Sequence, residues 1–361
     1  MHRTRVVRIH VRERLINRDQ HDDGGYTQSM FKRPLFYIVL IIFLPACNIP
    51  SNAPNPNPNL LATLQASTPL AGFTSAPGLS TPPASNEPTG KIALTCQIFK
   101  DVEKEQICIV NADGSGYRRL TTEDDDVRHY YPSVAPDGQS VLYSAYNKQT
   151  EHYEIYELNL LTNETKMLTY DFGDLNAPEI SPDGKTIVFT RYYLDVDKPT
   201  TWLMDRDGTN LRQVIDVRAW DPSWSPDGSE ILFATLFENR SQLAIVNVDG
   251  SDLHQVGYFP LLRGRSDWSI HDLIVTYSGM RWERELYLMN SDGSDPRRIS
   301  PLGGNSQGPS FSPDGQWIAF TSYFDRYEVH GCEIYIMRVD GTDLRRLTDN
   351  EYCDYQPRWG P

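Results

Sequence analysis

Four nearly identical stretches recur along the chain: VAPDGQSVLYS (134–144), ISPDGKTIVFT (180–190), WSPDGSEILFA (224–234) and FSPDGQWIAFT (311–321). A catalytic or metal site needs its motif once, so a repeated phrase indicates architecture. The turns in these stretches begin at Ala135, Ser181, Ser225 and Ser312. The interval between Ser225 and Ser312 is twice as long as the others, and Ser269 in DWSIHD occupies the equivalent position in its middle. The spacings of 46, 44, 44 and 43 residues are typical of a propeller or solenoid.

Each repeat predicts four antiparallel strands, which we call a to d. The residues after PDG alternate apolar and polar types and favour β-branched and aromatic side chains, as strands do. Proline, aspartate and glycine suit successive positions of a tight turn, so PDG joins strand a to strand b. A second phrase, such as VNVDGSDLHQV (246–256), occurs six times in the same phase, and its DG marks the hairpin between strands c and d.

The two ends of the chain complete each other. The first unit, which begins near Thr89, has strands b, c and d but lacks strand a, whereas YQPRWGP (355–361) supplies an a strand alone. Joined together, they make one blade, and this closure leaves no exposed sheet edge. The sequence therefore predicts an all-β fold, a six-bladed β-propeller of four-stranded blades, closed by pairing the C-terminal strand with the N-terminal blade.

The repeat P-x-W-S-P-D-G…I-x-F-x-S…I-Y-x-M-x-x-D-G…R-x-L-T resembles the TolB-type, WD-like propeller repeat of bacterial periplasmic proteins. The resemblance covers residues 88–361. One blade departs from the pattern because it has SIHD (269–272) in place of SPDG. We find no counterpart of the helical domain that precedes the TolB propeller, so the resemblance implies the fold and an extracytoplasmic location more than an equivalent function.

The N-terminal region predicts export. The segment MFKRPLFYIVLIIFLPAC (30–47) has two cations, a ten-residue apolar run and a lipobox-like LPAC. It is too short to span a bilayer comfortably, since a span needs roughly 20 apolar residues. We therefore expect residues 30–46 to be a lipoprotein signal peptide and Cys47 to carry the lipid anchor. The alternative is an uncleaved N-terminal membrane anchor.

The flanking segments do not look like folded domains. Residues 47–87 are rich in Pro, Asn and Ser, which indicates a flexible tether. Residues 1–29 are polar, and we expect either that translation begins at Met30 or that they form a disordered leader. The propeller would then hang from the membrane, facing the periplasm or the outer cell surface.

Charge excludes some classes of partner. Of the 34 basic and 48 acidic residues, 26 and 44 follow Cys47, so the mature chain carries a net charge of −18. Such a chain repels nucleic acid and anionic headgroups. We expect a monomer whose partner is an envelope protein or an extracellular ligand, and whose only membrane attachment is the lipid.

The motifs that could indicate catalysis or metal binding lack the flanking structure or the additional ligands that such sites require. GNSQG (304–308) fits the nucleophile-elbow pattern around Ser306, but the elbow needs a helix after the serine and a strand follows here. The DG turns, such as Asp205–Asn210, resemble fragments of calcium loops but lack the glutamate at loop position twelve. His129, His152, His254, His271 and His330 have no short metal-ligand spacing. We expect no cofactor and no metal.

Four cysteines besides Cys47 lie in the exported propeller, where disulfides form. Cys96 and Cys108 flank the first b-to-c hairpin symmetrically about residue 102, which would place them opposite each other. Cys332 begins the last c strand, and Cys353 lies just before the closing strand. We predict the bonds Cys96–Cys108 and Cys332–Cys353, the second of which would pin the closure.

The loops favour a binding function. Propeller topology places the short a-to-b and c-to-d turns at one end and the long, varied b-to-c and d-to-a loops at the other. The varied loops concentrate Tyr, Trp and Arg, the residue types of interface hot spots. Our candidate binding residues are Tyr193, Trp220, Arg265, Arg281, Trp282 and Tyr323.

We therefore expect a membrane-tethered, extracytoplasmic and non-catalytic scaffold that binds a protein or a ligand. The alternative is a propeller enzyme that uses the central channel. It would be a polysaccharide lyase with metal-binding histidines, for which His129, His152 and His330 are candidates, or a relative of the prolyl oligopeptidases. Only two residues follow Trp359, which leaves no room after the propeller for the hydrolase domain of those peptidases.

Overall fold

The computed structural model describes residues 87–97, 104–121, 127–192, 198–280, 282–324 and 331–361. Within these ranges the chain forms six four-stranded antiparallel sheets and has no helix. No helix that could cross a membrane is found in them. The sheets are the blades of a ring, so the predicted six-bladed propeller is confirmed. The predicted signal peptide, Cys47 and most of the tether lie outside the described residues.

All 24 strands follow the repeat. The a strands, innermost in the ring, are β4 (His129–Val134), β8 (Asp174–Ile180), β12 (Ala219–Trp224), β16 (Asp267–Trp268), β20 (Gln307–Phe311) and β24 (Asp354–Gly360). The b strands are β1 (Lys91–Gln97), β5 (Ser140–Asn147), β9 (Thr186–Tyr192), β13 (Glu230–Phe237), β17 (Leu273–Ser278) and β21 (Trp317–Ser322). The c strands are β2 (Glu105–Asn111), β6 (His152–Asn159), β10 (Thr200–Asp205), β14 (Arg240–Asn247), β18 (Glu285–Asn290) and β22 (Glu333–Arg338). The short outer d strands are β3 (Arg118–Arg119), β7 (Thr165–Met167), β11 (Arg212–Gln213), β15 (His254–Val256), β19 (Arg297–Arg298) and β23 (Arg345–Arg346).

The ring closes as predicted. Blade 1 has the strand order β24-β1-β2-β3, so the last strand of the chain is its a strand, and blades 2 to 6 follow in chain order. Ile92 pairs with Trp359, whose indole Nε1 donates to the carbonyl of Thr89 at 2.8 Å. Apolar side chains from adjacent blades form the core, as where Ile92 of blade 1 lies in one cluster with Trp317 and Ile336 of blade 6. The closing strand is therefore held both by hydrogen bonds within the sheet and by packing in the core.

We call the end of the ring that carries the a-to-b and c-to-d turns the turn end, and the opposite end the loop end. At the turn end, one geometry repeats. Asp207, for example, accepts hydrogen bonds from the amide and the hydroxyl of Thr209, at 2.9 and 2.6 Å. Gly208 follows with φ +94°, and a Cβ there would lie 2.2 Å from the carbonyl oxygen of Leu168 in the neighbouring blade. The glycine is therefore required both by its φ and by blade packing.

Blade 5 departs from this geometry, as SIHD led us to expect. Its turn closes with an amide-to-carbonyl bond from Ser269 to Leu273, one residue tighter than the bond from Ser225 to Glu230 in blade 4. Asp272 takes the left-handed conformation, with φ +59°, in the place of the glycine. Aspartate is one of the few non-glycine residues that tolerate it. The blade is preserved with a shorter turn.

Both predicted disulfides are present in the structure, Cys96–Cys108 and Cys332–Cys353. The predicted placement of the first pair was wrong in one respect. Cys96 pairs in register with Gln106, and Cys108 with Leu94, so the two cysteines are diagonal neighbours rather than directly opposed. Their Cα atoms are 5.8 Å apart, because the hairpin is centred one residue earlier than the symmetry of the sequence indicated.

A hydrogen-bonded carboxylate at the start of the c strand, found in more than one blade, was not predicted from the sequence. In blade 6, Thr348 donates to the buried Glu333 at 2.7 Å and accepts from the amide of Ile334 at 2.9 Å. The second oxygen of Glu333 accepts from the amide of Asn350 at 3.0 Å. Blade 2 repeats this arrangement with Glu154. Each such carboxylate ties a d strand to its blade and orders the beginning of the next d-to-a loop.

Candidate functional site

The six a strands line the central channel, and each contributes one backbone irregularity to it. At one equivalent position on the innermost segment of each blade, the residue has a positive φ, and these six residues form the channel's bulge ring: Tyr131 (55°), Ala177 (52°), Asp221 (53°), Arg265 (22°), Gly308 (59°) and Gln356 (53°). In five blades the pairing register shifts at this point. Five of the six residues precede a proline. Left-handed backbone costs non-glycine residues free energy, so the ring is a set of strained positions around the channel axis.

Two residues further along the chain, towards the turn end, each blade contributes one residue to a second ring: Ser133, Glu179, Ser223, Asp267, Ser310 and Arg358. Arg358, from the closing strand, spans the channel. Its Nη2 lies 3.3 Å from Glu179 and its Nη1 lies 3.3 Å from Asp267, and all three side chains are largely buried. Ser223 lies between the two carboxylates, 3.2 Å from an oxygen of each. We call this group the Arg358 layer.

Burial and ion pairing oppose each other in the Arg358 layer. Loss of solvation raises the pKa of Glu179, and Arg358 opposes that shift. Burial would lower the pKa of Arg358, but the carboxylates of Asp267, Glu179 and Asp221 outweigh it and raise that pKa. The arginine therefore stays charged, and its partners are held by ion pairs and hydrogen bonds. At this level the channel is filled by a structural ion-pair network.

Arg265 fills the channel one level nearer the loop end. We expected it on the surface, but it is only 6% exposed. Its Nη2 donates to the carbonyl of Pro132 in blade 2 at 3.2 Å, and its guanidinium carbon lies 5.3 Å from the ring centroid of Tyr131. Its backbone amide donates to Asp221 at 3.1 Å. Burial, together with the charge of Arg358, lowers the pKa of Arg265 to about 10.

The loop-end mouth of the channel is lined by tyrosines, of which only Tyr323 was among the predicted binding residues. Tyr130 lies 5.9 Å from Tyr153 and 6.4 Å from Tyr131, measured between ring centroids, and Tyr146 lies 5.6 Å from Tyr153. Tyr355 of the closing strand packs with Tyr323 and Tyr130 in one cluster. The sequence could have indicated these tyrosines. In RHYYP (128–132) and DYQP (354–357), a tyrosine comes directly before the residue of the bulge ring.

Burial keeps the phenols of Tyr130, Tyr153 and Tyr355 protonated at neutral pH. Burial raises the pKa of Tyr153 to about 12 and raises that of Tyr130 further. Burial also raises the pKa of Tyr355, with nearby Glu105 adding to the effect. A partly buried tyrosine offers a rigid apolar ring and a hydroxyl that can donate a hydrogen bond. Phenols of this kind are suited to binding.

The four candidate binding residues that the structure describes do not form one cluster. Trp220 is half-buried against apolar side chains of blades 4 and 5. Trp282 is exposed, and its ring centroid lies 6.4 Å from that of Tyr323, which is buried. Tyr193 and Arg281 lie outside the described residues. Of the four that are described, Trp282 therefore has the most accessible side chain.

The residues considered for catalysis or metal binding are dispersed. Ser306 is fully buried, with its hydroxyl 3.5 Å from that of Ser322, and a strand follows it. His129 is buried beside Tyr143, whereas His152 lies within 4 Å of two aspartates. His330 lies outside the described residues. The part of the chain that the structure describes contains no group of three His, Cys, Asp or Glu residues that could hold a metal ion.

Comparisons with known proteins agree with this architecture. The family model of the TolB beta propeller domain matches residues 192–361. An uncharacterized protein of Agrobacterium fabrum is 35% identical over 226 residues, which cover 56% of this chain and 68% of that protein. An uncharacterized peptidase of Bacillus subtilis is 25% identical over 219 residues, which cover 57% of this chain but only 31% of the peptidase.

The solved structures give the same fold. The crystal structure of TolB from Acinetobacter baumannii superposes with a TM-score of 0.64 at 19% identity, covering 75% of this chain and 67% of TolB. At this identity the likeness concerns the fold alone. Together with the six phased repeats, the ring closure and the matching family model, it places the chain in the family of TolB-type β-propeller proteins.

Proposed function

We propose that this chain is a non-catalytic binding propeller, exported and lipid-anchored through Cys47, whose loop end recognises a protein or an extracellular ligand. The observation that carries the proposal is the difference between the two ends of the ring. The turn end repeats one hydrogen-bonded geometry, whereas the loop end has loops of different lengths around a mouth lined by tyrosines. Only the loop end has the chemical variety that a specific interface needs.

The closed channel supports binding at the mouth rather than chemistry in the channel. Arg265 and Arg358 cross it at two successive levels, and each is held by contacts to blades other than its own. A ligand that enters from the loop end would therefore meet the tyrosines first. The two disulfides support export, because such bonds persist in oxidising compartments.

The binding role is tested by affinity purification from crosslinked envelopes of the native host. The full chain is compared with a variant that carries Tyr130→Ala and Tyr153→Ala, and with the control Leu161→Ala, which changes an exposed turn-end residue. Wild type and the control should recover the same partner, and the tyrosine variant should lose it. Circular dichroism shows that the fold is intact. Equal recovery by a folded tyrosine variant would overturn the proposal.

The lipid anchor is tested separately. Cys47→Ser removes the proposed lipid acceptor, so the protein should leave the membrane fraction while its propeller keeps the same thermal unfolding midpoint. Mass spectrometry of the wild-type N-terminal peptide should show a diacylglyceryl group on Cys47. An unmodified Cys47 with residues 30–46 still attached would favour the uncleaved anchor instead.

A further inference from the structure

A disulfide and two acidic residues meet where the closing strand begins, and we call them the closure cluster: Cys332, Glu333, Cys353 and Asp354. In each half of the cluster an acidic residue directly follows a cysteine, at the start of β22 in blade 6 and of β24 in blade 1. The Cα atoms of the two cysteines are 4.4 Å apart, and the amide of Asp354 donates to the carbonyl of Cys332 at 2.8 Å. The cluster therefore joins the closing strand to blade 6 both covalently and by a hydrogen bond.

The two carboxyls of the closure cluster are fully buried and share a hydrogen-bonding neighbour. The amide of Asn350 donates to Glu333 at 3.0 Å, and its side chain donates to Asp354 at 2.8 Å. From blade 1, the hydroxyl of Tyr117 donates to Asp354 at 3.1 Å, and Cys96 lies opposite Asp354 in the sheet. In the part of the chain that the structure describes, the charged group that acts on Asp354 is Glu333, and no cation pairs with it.

The repulsion within the cluster depends on pH. Burial, together with the nearby Glu333, raises the pKa of Asp354 to about 7, so its carboxyl is mostly protonated at pH 5.5 and mostly ionised at pH 8. Tyr117 stays neutral, because burial and the two carboxyls raise its pKa. Neighbouring carboxylates repel each other when both are ionised. Because the folded pKa of Asp354 lies above the unfolded value, the contacts of this carboxyl stabilise the closure at low pH and lose that effect as pH rises through 7.

The closure cluster lies beside the tyrosine mouth. Cys332 and Cys353 pack in one cluster with Tyr323 of blade 6, Tyr355 of the closing strand and the partly buried Tyr130 of blade 2. The disulfide therefore contacts rings from three blades. A shift in the first residues of the closing strand would displace these rings, so the state of the closure cluster sets the shape of the mouth.

The two disulfides differ in how a reductant would reach them. Cys96 and Cys108 lie inside β1 and β2, so their bond is reached only when that hairpin opens. Cys353 lies in the d-to-a loop between β23 and β24, which also carries the exposed Glu351. A thiolate can attack the sulfur of Cys353 when this loop opens. A dithiol then gives two electrons and two protons to the bond, which becomes the thiols of Cys332 and Cys353, and the dithiol itself becomes a disulfide.

We propose that the closure cluster is a redox switch on the mouth: its disulfide holds the closing strand against blade 6, and reduction by a dithiol at neutral or alkaline pH lets the ionised carboxyls separate and the mouth open. This rests on the proposed binding function and names a way in which that site is regulated. At acidic pH the protonated pair holds the strand without the disulfide. Redox switches act by biasing an element between two arrangements, and here that element is the start of the closing strand.

The test uses hydrogen exchange of the full chain at pH 5.5 and pH 8, corrected for the intrinsic exchange rate at each pH. Wild type is compared with Cys332→Ser plus Cys353→Ser, the switch variant, and with the matched control Cys96→Ser plus Cys108→Ser. In the switch variant, the amides at the start of the closing strand should lose about tenfold in protection at pH 8 and little at pH 5.5. The control variant should show no such dependence on pH.

Location and rescue separate a switch from a general loss of stability. In the switch variant at pH 8, residues 354–357 and 127–132 should lose protection, whereas residues 219–224, in the blade opposite blade 1, should keep it. Asp354→Asn in the same variant should restore protection at pH 8, because an amide cannot ionise. A second measurement uses wild type: limiting dithiothreitol at pH 8, followed by alkylation and mass spectrometry, should label Cys332 and Cys353 before the other pair.

Three results would overturn the inference: unchanged protection in the switch variant, an equal loss at both pH values, or earlier labelling of Cys96 and Cys108. The failure of the inference is distinguishable from that of the proposed function. A partner that is lost from the tyrosine variant, without pH-dependent exchange in the switch variant, removes only the inference. The expected exchange, with no partner dependent on the tyrosines, leaves the switch and removes the proposed binding mouth.

Discussion

The two ends of the propeller are built from different kinds of interaction. At the turn end, Asp113, Asp207, Asp249 and Asp292 each accept hydrogen bonds from the Ser or Thr two residues later, which lower the pKa of each exposed carboxyl. At the loop end, the contacts join residues far apart in sequence, as where Arg265 reaches Pro132. Local interactions repeat from blade to blade, whereas distant ones differ, and this difference separates the repeated turn end from the proposed recognition surface.

The channel arginines give the largest expected effects. Arg358→Met, in the layer nearer the turn end, leaves Glu179 and Asp267 buried without their cation, and should cost about 3–5 kcal/mol of unfolding free energy. Arg265→Met should cost less, about 1–3 kcal/mol, because Asp221 keeps the backbone hydrogen bond from residue 265. Urea unfolding of both variants measures the difference. Equal losses would show that the two layers contribute alike.

Substitution of one glycine at each end compares how tightly the backbone is packed there. Gly208→Ala at the turn end adds a Cβ that collides with the carbonyl of Leu168, and should cost more than about 3 kcal/mol. Gly303→Ala at the loop end has a similar φ, +83°, but nothing within 4 Å of the added Cβ, and should cost only about 1–2 kcal/mol. Thermal unfolding of both variants provides the test, and a reversed order would contradict the packing argument.

A buried carboxyl at the loop end should make stability depend on pH. Burial, reinforced by the nearby Glu333, raises the pKa of Asp354 from 3.8 to about 7. Because the folded pKa exceeds the unfolded value, the stability that protonated Asp354 contributes is present below pH 3.8 and is lost as pH rises towards 7. The loss has an upper bound of roughly 4 kcal/mol.

Asp354→Asn removes this titration. The unfolding free energy of the variant minus that of wild type should therefore increase between pH 5 and pH 8. Urea unfolding at several pH values measures it, with Asp349→Asn as a control, since Asp349 is an exposed residue of the same loop. A difference that stays constant over this range would contradict the assignment to Asp354.

The sequence predicted the architecture because the information for it is local and repeated. The period, the two hairpin turns and the split blade led to 24 strands and the closure, and Cys332 and Cys353 were paired from their positions at the closing strand. The diagonal placement of Cys96 and Cys108 was missed because sequence symmetry locates a hairpin only to within a residue.

The candidate site was only partly predictable. Its residues come from different blades and meet only when the ring closes, so no local pattern shows that Arg358 contacts Glu179 and Asp267. Aligning the residue after each a-strand proline would have shown one arginine and one carboxylate, Arg358 and Glu179, at equivalent positions, but it would have missed Asp267, which follows a serine. The burial of Arg265 was not predictable in that way, because a long side chain can lie across a channel or on its rim.

We propose that the loop end, and not the turn end, carries recognition. It is tested most directly by placing the photo-crosslinking residue p-benzoylphenylalanine in the full chain in the native host, either at Tyr153 and Trp282 or at Leu161 and Ile270. We expect crosslinks to the same partner from the first pair and none from the second, although Leu161 and Ile270 are at least as exposed. Crosslinks from the turn-end pair, with none from the loop-end pair, would contradict it.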